Sequence, residues 1–478
     1  MPGPRTAGEW KELSESFGGN QYDIYAEMRR RYGDVMLLSE GVAGTDIVTI
    51  FHPADIEKGL RREGPLPRGL GQALLPFMKF YSEHAPNGLN LGRIDGKKWS
   101  DLRKAMNQPM MSPKSAQTYI PHLERVMDEC SRHLAANGSD MANYLPKVTF
   151  EMICSVLLDH IPHIVAPGNR ASQLDEDFVH TAKKVFPLMA EIMSPDEMPA
   201  FLKGESAVYR DEFEPTMMKI MALGGEYITD LQRRLEEHKG DPSHEVHSSY
   251  FAQILKMDIL DDHQVNINFS NLIFAGVDTT SNVLQWMMLH IARNPRVQDK
   301  LRAEAETVLA GRNVGSPADY KALRYHRMVM KEVYRLTPPV FGTARYLPDD
   351  AEFGGFHVPQ GTMVRMHPLP FLANPDVWDR PEEFVPERWT KKGDDEEEEE
   401  EDDDESAFVV PDNSGCPMGH VSNHKFLEVV PFSVGKRMCL GARLAEVEIV
   451  AFFARVIQVR RHETDSCRMM TTHAHVPL

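Results

Sequence analysis

Cysteine is scarce in this sequence: five residues among 478, at positions 130, 154, 416, 439 and 467. That number and spread exclude a disulfide scaffold and point to a reducing compartment. No apolar run approaches the roughly 18 residues that a membrane-spanning helix needs. The opening Met1-Pro2-Gly3-Pro4-Arg5-Thr6 lacks the apolar core of a secretory leader, and an Arg- and Ser-rich transit pattern is missing too. Basic charge is also short. Lys and Arg number 53 against 71 Asp and Glu, a net charge of −18, so a nucleic-acid footprint is not expected. Neither a repeat of fixed period nor a clean linker is visible.

One tract distorts the charge. Residues 394–405 are twelve consecutive acids, and without them the net charge is only −6. Such a run repels itself and stays solvated, so it is expected to be a disordered surface insertion in a single domain spanning 1–478. With 42% hydrophobic residues the chain can bury a large core.

The periodicity is mostly helical. Helices are expected at 21–32, 112–136, 139–158, 215–237, 262–293 and 297–310, with a short strand at 47–51. Between 345 and 364 the period changes to strand, turn, strand, and 368–390 is irregular and proline-rich. The fold class is therefore mainly α with a small β lobe.

Chemistry concentrates in the run Pro431-Phe432-Ser433-Val434-Gly435-Lys436-Arg437-Met438-Cys439-Leu440-Gly441, directly before an apolar helical stretch from 442 to 459. A thiolate at a helix start, framed by glycines, suits ligation of haem iron. The helix N-terminus favours the anionic sulfur, and Gly435 and Gly441 permit close backbone approach. Arg437 can offer its fork to a carboxylate such as a haem propionate. Cys416, His420, His424 and Cys439 also form a spacing that could bind zinc. The irregular Gly/Pro/Asn surroundings of the first three speak against that alternative.

The pattern Phe432-x-x-Gly435-x-Arg437-x-Cys439-x-Gly441 resembles the haem-binding signature of the cytochrome P-450 family. The resemblance implies the fold of that family, a haem b held by the Cys439 thiolate, and oxidation of a lipophilic substrate with O2. Phe274-Ala275-Gly276-Val277-Asp278-Thr279-Thr280 then resembles the family's oxygen-activation motif. In a helix Gly276 costs about 1 kcal/mol against alanine, a weakness explained if Ala275 and Gly276 leave room beside a haem. Thr279 would bond the bound oxygen, and Asp278 would help bring protons inward.

Other stretches match in family order. Trp99-Ser100-Asp101-Leu102-Arg103 is similar to a Trp-x-x-x-Arg helix that holds a haem propionate, and Arg345 falls where many relatives place another propionate ligand. Glu332 and Arg335, with Arg388 of Pro386-Glu387-Arg388-Trp389, resemble a network that fixes the loop before the cysteine. Glu63-Gly64-Pro65-Leu66-Pro67-Arg68 and Arg443-Leu444-Ala445-Glu446-Val447-Glu448 resemble elements of the mitochondrial-type branch. Ser433 departs from it, standing where glycine is common.

That branch implies a mitochondrial or other organellar location and at most peripheral membrane contact. It implies a ferredoxin-type electron donor docking on Arg327 and Lys331, and a sterol-like or other lipophilic substrate. Substrate-facing regions are expected at 69–91, 185–202 and 338–343. Rival readings are a haem-thiolate peroxygenase or isomerase that needs no external electrons, a haem-binding sensor, or a scaffold recruiting a basic partner through 394–405.

Overall fold

The long helix Asp262–Arg293 organises the molecule. Its start is closed by a reciprocal cap, in which Gln264 N–H donates to Asp261 Oδ1 at 2.8 Å and Asp261 N–H donates to Gln264 Oε1 at 3.3 Å. It packs against Met141–Leu158, Glu214–Glu237 and Arg324–Leu336. In this computed structural model the described residues are 1–4, 7–17, 20–38, 46–69, 74–112, 115–134, 140–165, 170–194, 196–390 and 430–459. The acidic run 394–405 and the residues Cys416, His420, His424 and Cys467 lie outside them.

Ala442–Val459, the helix after the cysteine, is apolar nearly all round and accordingly buried. Ser115–Arg132, Pro295–Leu309, Arg324–Leu336 and the long helix surround it. Among the described residues no helix is long and apolar enough to cross a membrane.

The β lobe is a four-stranded sheet of β1 (Val35–Leu38), β2 (Ile47–Ile50), β3 (Thr343–Tyr346) and β6 (Met363–Met366), in the order β1-β2-β6-β3. Strands β4 (Ala351–Phe353) and β5 (Phe356–Val358) form a separate hairpin, turned by Gly354 and Gly355 at φ 53° and 81°. The β2–β6 pair is parallel, with Ile47 opposite Met363 and Ile50 opposite Met366. That pairing ties the start of the chain to the segment that precedes the cysteine loop. The expected strand–turn–strand is thus present, but its last strand pairs with residues three hundred positions earlier.

The expected helix at 112–136 runs Ser115–Arg132, and that at 139–158 runs Met141–Leu158. The span 262–293 has the bounds expected. A π-helical turn, Val208–Phe213, leads into the helix expected at 215–237.

Candidate active site

The cysteine loop is built by its own backbone. Val430–Phe432 makes a 3-10 turn, Ser433 and Gly435 follow at φ 59° and 81°, and Cys439 N–H closes the loop on Phe432 O at 2.8 Å. The next helix then starts, with Ala445 N–H donating to Gly441 O. This geometry turns Cys439 into a cavity of about 360 Å³ instead of toward bulk water. The sulfur is accessible from the cavity and enclosed otherwise. Burial pushes the thiol above its ordinary value, while the Gly441 N–H and the charge of Arg103 pull it down. Burial wins, contrary to the expectation that the helix start alone keeps the sulfur anionic. A coordinated metal ion is what would deprotonate it outright.

Across the cavity stands the long helix, with Leu272, Ala275, Gly276, Thr279 and Thr280 in the wall. Thr279 donates its hydroxyl hydrogen to Ala275 O at 2.7 Å, a bond that leaves its oxygen lone pairs for the cavity. Gly276 lines the cavity and has a second reason beside the one expected. A Cβ there would lie 2.3 Å from Ile153 Cδ1 on Met141–Leu158, so the glycine admits a neighbouring helix whose Ile153 itself lines the cavity.

Of the residues singled out in the sequence, the fold gathers Trp99, Arg103, Ala275, Gly276, Thr279, Phe432, Arg437, Cys439 and Gly441 around this one space. Asp278, Arg345 and Gly435 are not in its wall. Asp278 is half-buried; burial pushes its carboxyl up to about 6, against the pull of Lys183.

Arg345 is committed elsewhere. Its Nε donates to Glu63 Oε2 at 2.9 Å, and its other nitrogens donate to Thr343 Oγ1, Ala344 O and Val434 O. Glu63 Oε1 also accepts Lys436 N–H at 2.7 Å. A Cβ on Gly435 would come within 2.5 Å of the same oxygen. Arg345 and Gly435 therefore support the loop through Glu63 instead of facing the cavity.

Arg437 does meet a carboxylate, but a protein one. It bonds Asp95, donates from Nε to Pro67 O at 2.9 Å, and lies 3.9 Å over the Trp99 ring. Arg103 has no such counter-charge. It donates to Met438 O at 2.8 Å, yet its buried Nε has no partner among the described residues. Burial draws its guanidinium down to about 10, opposed by the nearby Cys439 sulfur. An enclosed cation at the cavity wall, bonded to no carboxylate among the described residues, calls for an anionic ligand group. With a sulfur on the opposing loop and small residues on the helix, this donor set fits haem. Cys439 could ligate the iron, and Arg103 could meet a propionate.

Three residues escaped sequence reasoning. Glu63 sits in the stretch that resembles the mitochondrial-type branch, and Asp95 immediately precedes the helix Gly96–Met111. Glu448 lies in the cavity wall, fully buried, with Oε1 unpartnered among the described residues and its carboxyl pushed well above the ordinary range by burial. The i, i+3, i+4, i+7 spacing of Gly441, Leu444, Ala445 and Glu448, all in the cavity wall, could have flagged the last.

The Glu332 network is intact. Glu332 accepts from both Arg335 and Arg388, from Val385 N–H, and from Trp389 Nε1 at 2.9 Å. Arg335 also donates to Leu372 O, Pro381 O and Glu383 O.

Comparison with known proteins agrees with this geometry. Residues 2–475 match the profile of the family described as Cytochrome P450. The chain is 28% identical to the probable cytochrome P450 12a5, mitochondrial, of Drosophila melanogaster, over 94% of this chain and 81% of that protein. It is 26% identical to the mouse (Mus musculus) 1,25-dihydroxyvitamin D(3) 24-hydroxylase, mitochondrial, over 96% and 82%. The rat (Rattus norvegicus) sterol 26-hydroxylase, mitochondrial, is similar at 26% over the same shares.

Proposed function

The chain belongs to the cytochrome P450 family, and on that premise we propose that it hydroxylates a sterol-like lipophile with electrons from a ferredoxin-type donor. The enzyme is a haem-thiolate monooxygenase. The single observation that carries the site assignment is Cys439 facing Ala275, Gly276 and Thr279 across one cavity that Arg103 also lines.

Haem, when bound through Cys439, supplies the iron at which O2 is activated. The remaining work belongs to side chains of this chain. Arg103 would meet and neutralise a propionate. The apolar walls exclude water, which strengthens each polar contact inside. Thr279 holds a hydroxyl at the oxygen-binding face. Asp278, whose carboxyl burial pushes up to about 6, would help bring protons inward toward the neighbouring Thr279. The substrate reading is supported by apolar space beside the haem cavity, lined by Phe77, Met78, Phe186 and Phe274.

Arg327 and Lys331 lie half-buried on Arg324–Leu336, the helix that carries Glu332 and Arg335. Opposite charges would speed docking of an acidic donor. The test is reduction in the presence of CO, followed by turnover with a ferredoxin couple at rising salt. A red-shifted Soret band and a steep fall in rate with salt are expected, with R327E/K331E slowing reduction about tenfold at low salt. A Soret band typical of imidazole-bound iron would end the haem-thiolate reading. Salt-insensitive turnover would end the donor reading alone.

A further inference from the structure

Two cavities meet along the long helix. The one holding Cys439 and a second of about 230 Å³ are both lined by Leu74, Leu91, Gly92, Leu272 and Ala275. The second is walled chiefly by apolar and aromatic side chains, with Phe77 and Phe274 stacked at 5.2 Å. One side-chain pair breaks that wall: the Tyr81 hydroxyl donates to Asn271 Oδ1 at 3.0 Å.

The other polar side chains in this wall serve the backbone. Asn268 accepts Leu91 N–H and donates to Leu89 O, Asn90 Oδ1 accepts Gly92 N–H, and half-buried Arg93 donates to Pro86 O, although its buried Nε has no partner among the described residues. Tyr81 and Asn271 keep capacity in hand. Asn271 Nδ2 spends one hydrogen on Ile267 O at 2.7 Å, which leaves its second hydrogen and the phenol oxygen's lone pairs. Tyr81 is 1% exposed, and burial keeps its phenol neutral by pushing it far up.

Position turns this into a ruler. Asn271, Ala275 and Thr279 follow one another at four-residue steps on one face of the helix. Asn271 and Thr279, eight residues apart, are separated by about 12 Å along the axis. Resting on the haem-thiolate reading, we propose that the substrate is an elongated lipophile with one neutral hydroxyl or carbonyl, held by Tyr81 and Asn271. That group lies about 12 Å from the carbon oxidised beside Thr279. A buried pair that loses its ligand partner is penalised, so the polar group discriminates strongly.

The haem-loaded full chain can be tested without knowing the substrate. Imidazole ligates ferric haem and shifts its spectrum, so 1-alkylimidazoles of increasing chain length serve as probes, each ending in methyl, hydroxyl or carboxylate. Plain imidazole checks that the iron is present and open; without its shift the haem reading fails, not this one. At one intermediate length the hydroxyl probe should bind about tenfold more tightly than its methyl counterpart. Tyr81→Phe, and separately Asn271→Leu, should erase that preference while affinity for imidazole and the methyl probes stays put. Absence of a hydroxyl preference at every length, or its persistence in both variants, overturns the proposal. A preference for the carboxylate probe also overturns it and moves the anchor to Arg93.

Discussion

At φ 59° Ser433 occupies the left-handed region, where a Cβ crowds the backbone and glycine is at ease. Its hydroxyl adds a second cost, because Oγ is buried without a hydrogen-bond partner among the described residues. Ser433→Gly removes both penalties but loosens the unfolded chain, which takes back part of the gain. The net effect expected is a stabilisation of about 0.5–1 kcal/mol. Urea denaturation followed by haem absorbance and tryptophan fluorescence measures it. A lower midpoint at unchanged slope would show that the serine makes a contact in the loop that outweighs its backbone strain. The same loop explains why the sulfur's environment was misjudged from sequence. A helix start and two glycines are visible in a string of letters, but the burial that raises the Cys439 thiol is a product of the fold, which sets the loop in a wall shared with Leu157, Leu272 and Leu444.

At the scale of elements, the helix Arg324–Leu336 is pinned by one carboxylate. Glu332 and Arg335 are both fully buried and bond through two nitrogen–oxygen pairs at 2.8 and 3.1 Å. Arg388 and Trp389 reach the same carboxylate from the 3-10 turn Pro386–Trp389. Neutralising it in Glu332→Gln leaves Arg335 buried without a counter-charge, which costs about 3–5 kcal/mol. Expression with sub-stoichiometric haem and a correspondingly lower urea midpoint are the expected outcomes, read by haem content per protein. Full haem and an unchanged midpoint would mean that the backbone carbonyls hold Arg335 unaided. Glu332 and Arg335 were legible because they sit at i and i+3 on one helix, and the Pro-Glu-Arg-Trp string stood out as a short pattern. The Trp389 bond to Glu332 was not, since spacing says nothing about which face of a 3-10 turn meets a helix 57 residues earlier.

Across the whole molecule, the readable features are those whose cause is local. The span of the long helix follows from its period and its Asp261–Gln264 cap, and the cysteine loop from its glycines. What sequence left dark depends on chain closure. The parallel pairing of Ile47–Ile50 with Met363–Met366 brings residues near 63 beside residues near 435. Only then does Glu63 become the acid that Arg345 finds 282 residues away, and a propionate role assigned by resemblance gives way to a structural one. This closure is testable by a double-mutant cycle. Arg345 is 1% and Glu63 7% exposed, so Glu63→Gln and Arg345→Met each strand a buried charge, at about 3 kcal/mol apiece. The double variant strands none, and its cost should fall short of the sum by about 1–3 kcal/mol. Glu63 also receives Lys436 N–H, so Glu63→Gln should further lower the fraction of ferrous–CO protein with the thiolate-type Soret band, whereas Arg345→Met should lower it less. Strict additivity of the two costs would mean that the amino-terminal segment and the cysteine loop are held together by the sheet alone.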